Sequence, residues 1–285
     1  MKSKDNKNSN ENRFIVAKQE IGSTLIDFLA LKLRISKKAA KVIINSRSVF
    51  VNEKRVWMAK HNLRVKDVVE IAHSASNAPA PKHIKHIYED NHIIIADKKP
   101  AMISNGPDSL ESFLRVQSHN PNLEAVHRLD KDTSGCLIFA KSHEDFEQMV
   151  EVFRSNGITK VYHAIVWGKI TKKEFTIDQH LDEKKAVTNV RVLDANESAT
   201  HIQIRIDTGR THQIRKHLNL MGHDLVGDRY YGNKSRFDPR LLKVGRQMLH
   251  ASGIDFVNPF LGKKTRVKSP LPSDFRSTLR LFNLT

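Results

Sequence analysis

Apolar residues recur along this chain with two different periods, and the change between them marks its organisation. Leu25, Phe28, Leu29 and Leu33 fall at helical spacing, and Leu31, Lys32 and Arg34 fill the next turn. Ser36 then reads as the cap of a second helix, Lys37 to Asn45. Its apolar face is Ala40, Ile43 and Ile44, and its other face carries Lys37, Lys38 and Lys41. From residue 48 the period becomes two. Residues 48–56 alternate about Asn52-Glu53, which predicts a hairpin, and Val65 to Ile71 supplies a final strand. These elements make a small module over residues 21–72. Residues 73–83, rich in Ala, Ser and Pro, read as a linker.

Beyond the linker, residues 84–285 read as one larger domain. Asn91 to Asp97 is a buried strand. Ser142 opens a helix from His143 to Phe153, with Asp145 three residues on. Thr159 to Trp167, Val187 to Leu193 and Ala199 to Ile206 are β-rich, and Asp274 to Phe282 closes the chain as a helix. Strands outnumber helices and do not alternate with them, so the expected class is α+β rather than a doubly wound sheet. Met1 to Asn10 has no apolar segment and is no signal peptide. Residues 1–20 are expected to be a disordered tail.

Charge changes the picture most. The 285 residues carry a formal +17, from 48 Lys and Arg against 31 Asp and Glu. Residues 1–72 hold 16 of the basic and 7 of the acidic residues, so over half the net charge lies in the first quarter of the chain. A phosphate backbone is the simplest partner for that concentration. A membrane surface fits less well, because the longest apolar runs, such as Ile93 to Ala96, are strand-sized. The single Cys136 allows neither an internal disulfide nor a cysteine-based metal site, which fits a reducing cytosol. Within its apolar run it reads as a core residue.

Three stretches carry candidate chemistry. The first is His127-Arg128-Leu129-Asp130-Lys131-Asp132-Thr133-Ser134-Gly135, a polar loop before the apolar run Cys136 to Ala140. Asp130 follows Leu129, which can anchor the loop, whereas Asp132 to Gly135 has turn chemistry; alone, Asp130 is a turn former as readily as a catalyst. The second is Lys160-Val161-Tyr162-His163-Ala164, an alternating strand. Tyr162 there is either a half-buried aromatic or a ring that stacks on a nucleobase, and His163 has no evident partner. The third is Asp207-Thr208-Gly209-Arg210-Thr211-His212-Gln213-Ile214-Arg215. Thr211 is expected to cap a helix to Met221, with Gly222 at the stop and Ile214, Leu218 and Met221 buried. Arg210 and Arg215 at its start suit a phosphate or a carboxylate.

Together these stretches, with Gly222 to Asp228, Leu249-His250-Ala251 and Pro270-Leu271-Pro272-x-Asp274-Phe275, resemble the RluA family of pseudouridine synthases from about residue 84 onward. The module in front resembles the S4 RNA-binding module. The resemblance implies a mixed, mainly antiparallel sheet with flanking helices, and an isomerase that turns uridine in structured RNA, rRNA or tRNA, into its C-linked isomer. It implies Asp130 as the group that starts glycosidic cleavage, Arg215 as the residue that holds it ionised and oriented, and Tyr162 against the base, with a part in the late proton transfer at carbon five. Arg128 would fill the space of the flipped uridine. Arg210, His212 and the Lys37, Lys38, Lys41 face would bind RNA. No metal or other cofactor is implied, and a cytoplasmic monomer is expected. After Lys99-Pro100-Ala101 the chain departs from the family with Met102 to Pro107, which bears on substrate identity rather than on the reaction. Two other readings compete: an RNA-binding or ribosome-assembly factor without activity, and a carboxylate-based nucleoside or glycoside hydrolase.

Overall fold

Ser36 does cap the second helix, its hydroxyl accepting from the Ala39 amide at 3.1 Å, and the first two helices begin where the apolar spacing puts them. The computed structural model describes residues 13–71 and 83–285, except 34, 46–48, 53, 57, 234 and 237. It divides into two units, Met1–Ala80 with Gly106–Ser112, and Pro81–Asn105 with Phe113–Thr285.

The first unit contains β1 (Arg13–Ile15), α1 (Leu25–Leu33), α2 (Lys37–Asn45), β2 (Val49–Val51), β3 (Lys54–Arg55) and β4 (Val68–Ile71). The strands form one antiparallel sheet in the order β1-β4-β2-β3. Leu25, Phe28, Leu29, Ala40 and Ile44 from the helices pack with Val49, Val51, Val69 and Ile71 from the sheet. Lys37, Lys38 and Lys41 stay exposed on α2, and Lys37 reaches Asp27 at 2.7 Å. The expected tail over residues 1–20 is too long. Arg13 to Ile15 pair with Glu70 to Val68, and Val16 is buried in the same core, so the folded unit starts before residue 21. A three-residue strand whose partner lies more than fifty positions away leaves no periodic signal of its own. Residues 1–12, 72–82, Ser48 and Glu53 lie outside the described residues.

The second unit holds β5 (His86–Glu89), β6 (Ile93–Lys98), α3 (Leu110–Gln117, its first turn grouping with the other unit), β7 (Glu124–Ala125), β8 (Ser134–Ala140), α4 (His143–Arg154), β9 (Ile158–Trp167), β10 (Glu174–Asp178), β11 (Val187–Ala195), β12 (Ala199–Ile206), α5 (Gln213–Leu220), β13 (Leu249–Asn258), β14 (Lys263–Lys268) and α6 (Ser273–Leu281). Its sheet runs β10-β11-β12-β9-β13-β8-β6-β5, with β14 on β13 and β7 on β8. Among the described strands only β13 and β8 pair in parallel, so the α+β, mainly antiparallel expectation holds. Cys136 is fully buried among Ile93, Ile95, Ile138 and Ile254, a core residue as read. Ser142 caps α4 by accepting from the Asp145 amide at 3.1 Å.

The parallel pair sets the geometry of the site. Ser134 lies opposite His250 and Gly135 opposite Ala251. Gly135 has φ +115°, and a Cβ there would sit 2.1 Å from the Ala251 carbonyl oxygen, so only glycine lets the two strands approach. That approach brings the loop before β8 against the start of β13, and β13 in turn pairs with β9, the strand that carries Tyr162.

Candidate active site

A β-turn puts Asp130 at the mouth of β8, since the Thr133 amide donates to the Asp130 carbonyl at 3.0 Å. Asp132 is an interior residue of that turn, the role its turn chemistry suggests. The turn is gripped residue by residue. Leu129 is buried, and the buried Ser104 hydroxyl donates to its carbonyl at 2.8 Å and accepts from its amide at 2.9 Å. Lys98 Nζ donates to the Lys131 carbonyl at 2.9 Å, and Arg246 Nη1 to the Asp132 carbonyl at 2.9 Å. Gln247 Nε2 donates to Thr133 Oγ1 at 2.9 Å and more weakly to Asp130 Oδ2 at 3.4 Å. Arg246 is itself fixed by Asp274, with Nε–Oδ2 at 2.7 Å. A loop of polar composition is thereby held by four buried side chains, Lys98, Ser104, Arg246 and Gln247.

Arg215 projects from α5 to meet this turn. Its Nη1 donates to Asp130 Oδ2 at 2.8 Å, while Nε and Nη2 grip Asp228 at 2.7 and 2.8 Å in a two-pronged pair. Asp228 also accepts the amides of Tyr230 and Tyr231 at 2.9 and 3.0 Å. The Arg215 guanidinium lies 5.0 Å from the centre of the Tyr231 ring. Burial pulls the Arg215 pKa down, but Asp228 and Asp130 more than offset this and its charge is locked in. Of the alternatives for the cations at the start of this helix, Arg215 serves a carboxylate.

The start of α5 differs from the sequence expectation. The capping position is His212, not Thr211, and it adopts a left-handed conformation with φ 53° and no side-chain cap. Gln213, the first residue of the helix, ties down the segment before it: its Oε1 accepts the Arg210 amide at 3.0 Å and the Thr208 hydroxyl at 2.9 Å, and its Nε2 donates to the Val187 carbonyl at 3.0 Å. The left-handed turn swings His212 inward, with Nε2 3.6 Å from Asp130 Oδ1 and Nδ1 3.0 Å from the Tyr231 hydroxyl. Ile214 and Leu218 are buried as expected, but Met221 is 47 % exposed. The helix stops at Leu220, and the polar side chains of Gln213, Arg215 and His217 occupy the interior beside the apolar stripe.

Tyr162 forms the floor of the cleft. It is buried on the face of β9 that also carries Lys160 and Ala164, and its hydroxyl has no hydrogen-bond partner among the described residues. Burial, then the charge of Asp130, pushes its phenol above the ordinary range. The cleft has a volume of about 150 Å³, and Arg128, Asp130, Tyr162, Arg210, His212 and Arg215 all line it. Arg128 and Arg210 are exposed at its rim, and Arg210 Nε reaches the Lys185 carbonyl at 3.2 Å. Six of the expected site residues therefore converge. Lys37, Lys38 and Lys41 belong to the other unit. His163 lies on the opposite sheet face, where its Nδ1 is 2.9 Å from His201 Nε2, a partner 38 residues away that the sequence alone does not suggest.

Asp228, Gln247, Arg246, Ser104 and Lys98 are parts of the site that the sequence does not single out. Asp228 stands in a motif named above, but its partner is set by the fold. Ser104 lies in the very segment that departs from the family pattern, and there it supports the Asp130 turn.

Residues 92–220 match the family model described as RNA pseudouridylate synthase. The chain is 32 % identical to the ribosomal large subunit pseudouridine synthase C of Vibrio cholerae, over 94 % of this chain and 96 % of that one. It is 33 % identical to the ribosomal large subunit pseudouridine synthase D of Pseudomonas aeruginosa, over 68 % and 70 %. Among solved structures, the human RNA pseudouridylate synthase domain containing 4 superposes with a TM-score of 0.60 at 21 % identity, over 70 % of this chain and 93 % of that one, a likeness of fold.

Proposed function

This chain belongs to the family of RNA pseudouridine synthases, enzymes that isomerise uridine in RNA, and from that premise we propose that its substrate is large-subunit ribosomal RNA and that Asp130 opens the glycosidic bond. The observation that carries the reading is the junction at Asp130: a carboxylate at the mouth of a cleft, with one oxygen fixed by Arg215 and its turn held by four buried side chains. Preorganisation of this kind is what a reacting carboxylate needs. Both curated relatives named above are large-subunit enzymes, which favours rRNA over tRNA.

In the isomerisation the N1–C1′ bond breaks, the base turns, and a C5–C1′ bond forms, with the C5 proton lost and a proton gained at N1. Asp130 serves either by attacking C1′ or by removing the neighbouring C2′ proton to give a glycal. Arg215 keeps the carboxylate aimed. The Tyr162 ring packs against the base. Its phenol, pushed up by burial, stays protonated at neutral pH, so it can accept the C5 proton only by passing on its own. Chemistry on a base requires the base outside its stack, and exposed Arg128 at the rim suits the space left behind. His212 and Arg210 meet the flanking backbone.

The first unit, an S4-like module, supplies sequence-independent grip through Lys37, Lys38 and Lys41. Replacing all three by Ala in the full-length chain is expected to weaken binding to different structured RNAs about equally. The salt slope should fall by roughly 0.9 for each phosphate that is no longer neutralised. Filter binding across salt concentrations measures it. No helix among the described residues is long and apolar enough to cross a membrane. A monomer in the cytoplasm is the working state we assign.

The test is incubation of purified protein with large-subunit rRNA fragments and with tRNA transcripts. Product and substrate have equal mass, so pseudouridine is read as carbodiimide-dependent primer-extension stops and by nucleoside chromatography. Stops in the rRNA are expected. Stops confined to tRNA would move the substrate, and release of free uracil would make the protein a hydrolase.

A further inference from the structure

Lys98 is the last residue of β6 and sits opposite Gly135 in β8, at the foot of the Asp130 turn. Its side chain is fully buried, yet it makes no ion pair among the described residues. Its amino group instead donates to two carbonyls, Lys131 at 2.9 Å and Lys99 at 3.1 Å. A buried ammonium served only by carbonyls is costly, and an apolar side chain would pack there at lower cost. The sequence keeps the expensive group where its one distant partner is the backbone next to Asp130.

We propose that Lys98 is a positioning residue for the isomerisation: by holding the Lys131 carbonyl it fixes the turn that aims Asp130 into the cleft. The inference rests on the reading of Asp130 as the initiating group. The other grips on the turn do not replace it. Ser104 holds the turn one residue before Asp130, and Arg246 and Gln247 hold it at Asp132 and Thr133. Among the described residues, Lys98 alone supplies a side chain to the residue directly after Asp130. Release there lets the peptide between Lys131 and Asp132 rotate, which loosens the turn and with it the aim of the Asp130 carboxylate. A displacement of about 1 Å at a reacting group costs about 100-fold in rate.

The amino group also gives this support a pH dependence. Burial pulls its pKa down to about 7, against the attraction of Asp132 and Asp130; Arg246 and Lys131 also face it and push the same way as burial. As an ammonium it makes charge-assisted bonds to the two carbonyls, and as a neutral amine it still has two N–H donors for them, but weaker ones. The grip therefore loosens as pH rises through this range.

The experiment compares Lys98→Met and Lys98→Gln with the wild type and with Asp130→Asn. Single-turnover conversion of uridine in an rRNA fragment is followed from pH 6 to 9, together with RNA affinity and Tm. Lys98→Met is expected to lose between about 10- and 100-fold in rate with RNA affinity unchanged. Its Tm at pH 6 should hold or rise. The lysine's lowered pKa means that its desolvation penalty is fully present below about 7 and fades as pH rises towards 10.5, the ordinary value of a free lysine. Lys98→Gln keeps an amide donor without the charge, so part of the rate should return. The fall of a few fold expected of the wild type through neutral pH should disappear. Wild-type rate in Lys98→Met, or the wild-type pH inflection retained in Lys98→Gln, would overturn the proposal while leaving Asp130 in place. Wild-type rate in Asp130→Asn would overturn both. Should Lys98→Met fail to fold, the Lys98→Gln profile decides.

Discussion

Asp130→Asn is expected to leave a folded protein that binds RNA normally and converts uridine at least about 10⁴-fold more slowly, the scale on which enzymes lose activity when a reacting group is removed. The fold should survive for a structural reason. Arg215 keeps its two-pronged pair with Asp228, and the Asp130 backbone keeps its turn bond to Thr133. No buried charge is left stranded. The side chain of Asp130 is itself 26 % exposed, so its own burial contributes little to stability. The measurement is carbodiimide stops and nucleoside chromatography at saturating enzyme, with circular dichroism and a binding assay as controls. Residual conversion within about tenfold of wild type would mean that another group starts the reaction.

Asp228→Ala should behave differently, losing both stability and rate. Removing one partner of a buried charged pair costs about 3–5 kcal/mol. Here the substitution also strips the Tyr230 and Tyr231 amides of their acceptor. Arg215 would then be balanced by Asp130 alone and free to pull it out of the cleft, so turnover of the folded fraction should fall by about 10- to 100-fold. Burial works to raise the Asp228 pKa, but Arg215 and the two tyrosine amides outweigh it and hold the carboxyl below its usual range. A lowered folded pKa means stability that is present above the unfolded value of about 4 and lost as pH falls through the folded one. Denaturant unfolding at neutral pH and in acid tests this. The wild type should lose stability with acid more steeply than Asp228→Asn, and equal acid sensitivity would remove Asp228 from the account.

The local half of this molecule is readable from its sequence. α2, α4 and β9 begin and end within two residues of where capping residues and periodicity put them, because those signals are carried by neighbours in sequence. Asp130, Tyr162 and Arg215 are legible too, though only as a set of motifs; each alone is an ordinary turn, strand or helix residue. What stays hidden is pairing at a distance. β1 reads as tail because β4, which makes it a strand, lies far along the chain. Lys98 and Lys99 are alike in sequence, and nothing local says that one of the two is fully buried while the other reaches Asp97. The cap of α5 is displaced for a related reason. Thr211 has the better capping chemistry, but the demand for His212 beside Asp130 and Tyr231 bends the backbone one residue later.

The parallel pairing of β8 with β13 has a consequence for how the protein is made. The Asp130 turn is complete only when Arg246 and Gln247 reach it from more than a hundred residues downstream, and Arg215 arrives from 85 downstream. While the ribosome is still translating the middle of the chain, β5 to β8 can pair locally but the Asp130 carboxylate has neither its arginine nor the clamp that precedes β13. Interactions of such separation form late, after their loop-closure entropy has been met. A nascent or truncated chain that stops before residue 246 would thus carry Asp130, Tyr162 and Arg215 without the grip of Arg246 and Gln247 and is expected to be inert, so activity in this enzyme also reports that synthesis has passed that point.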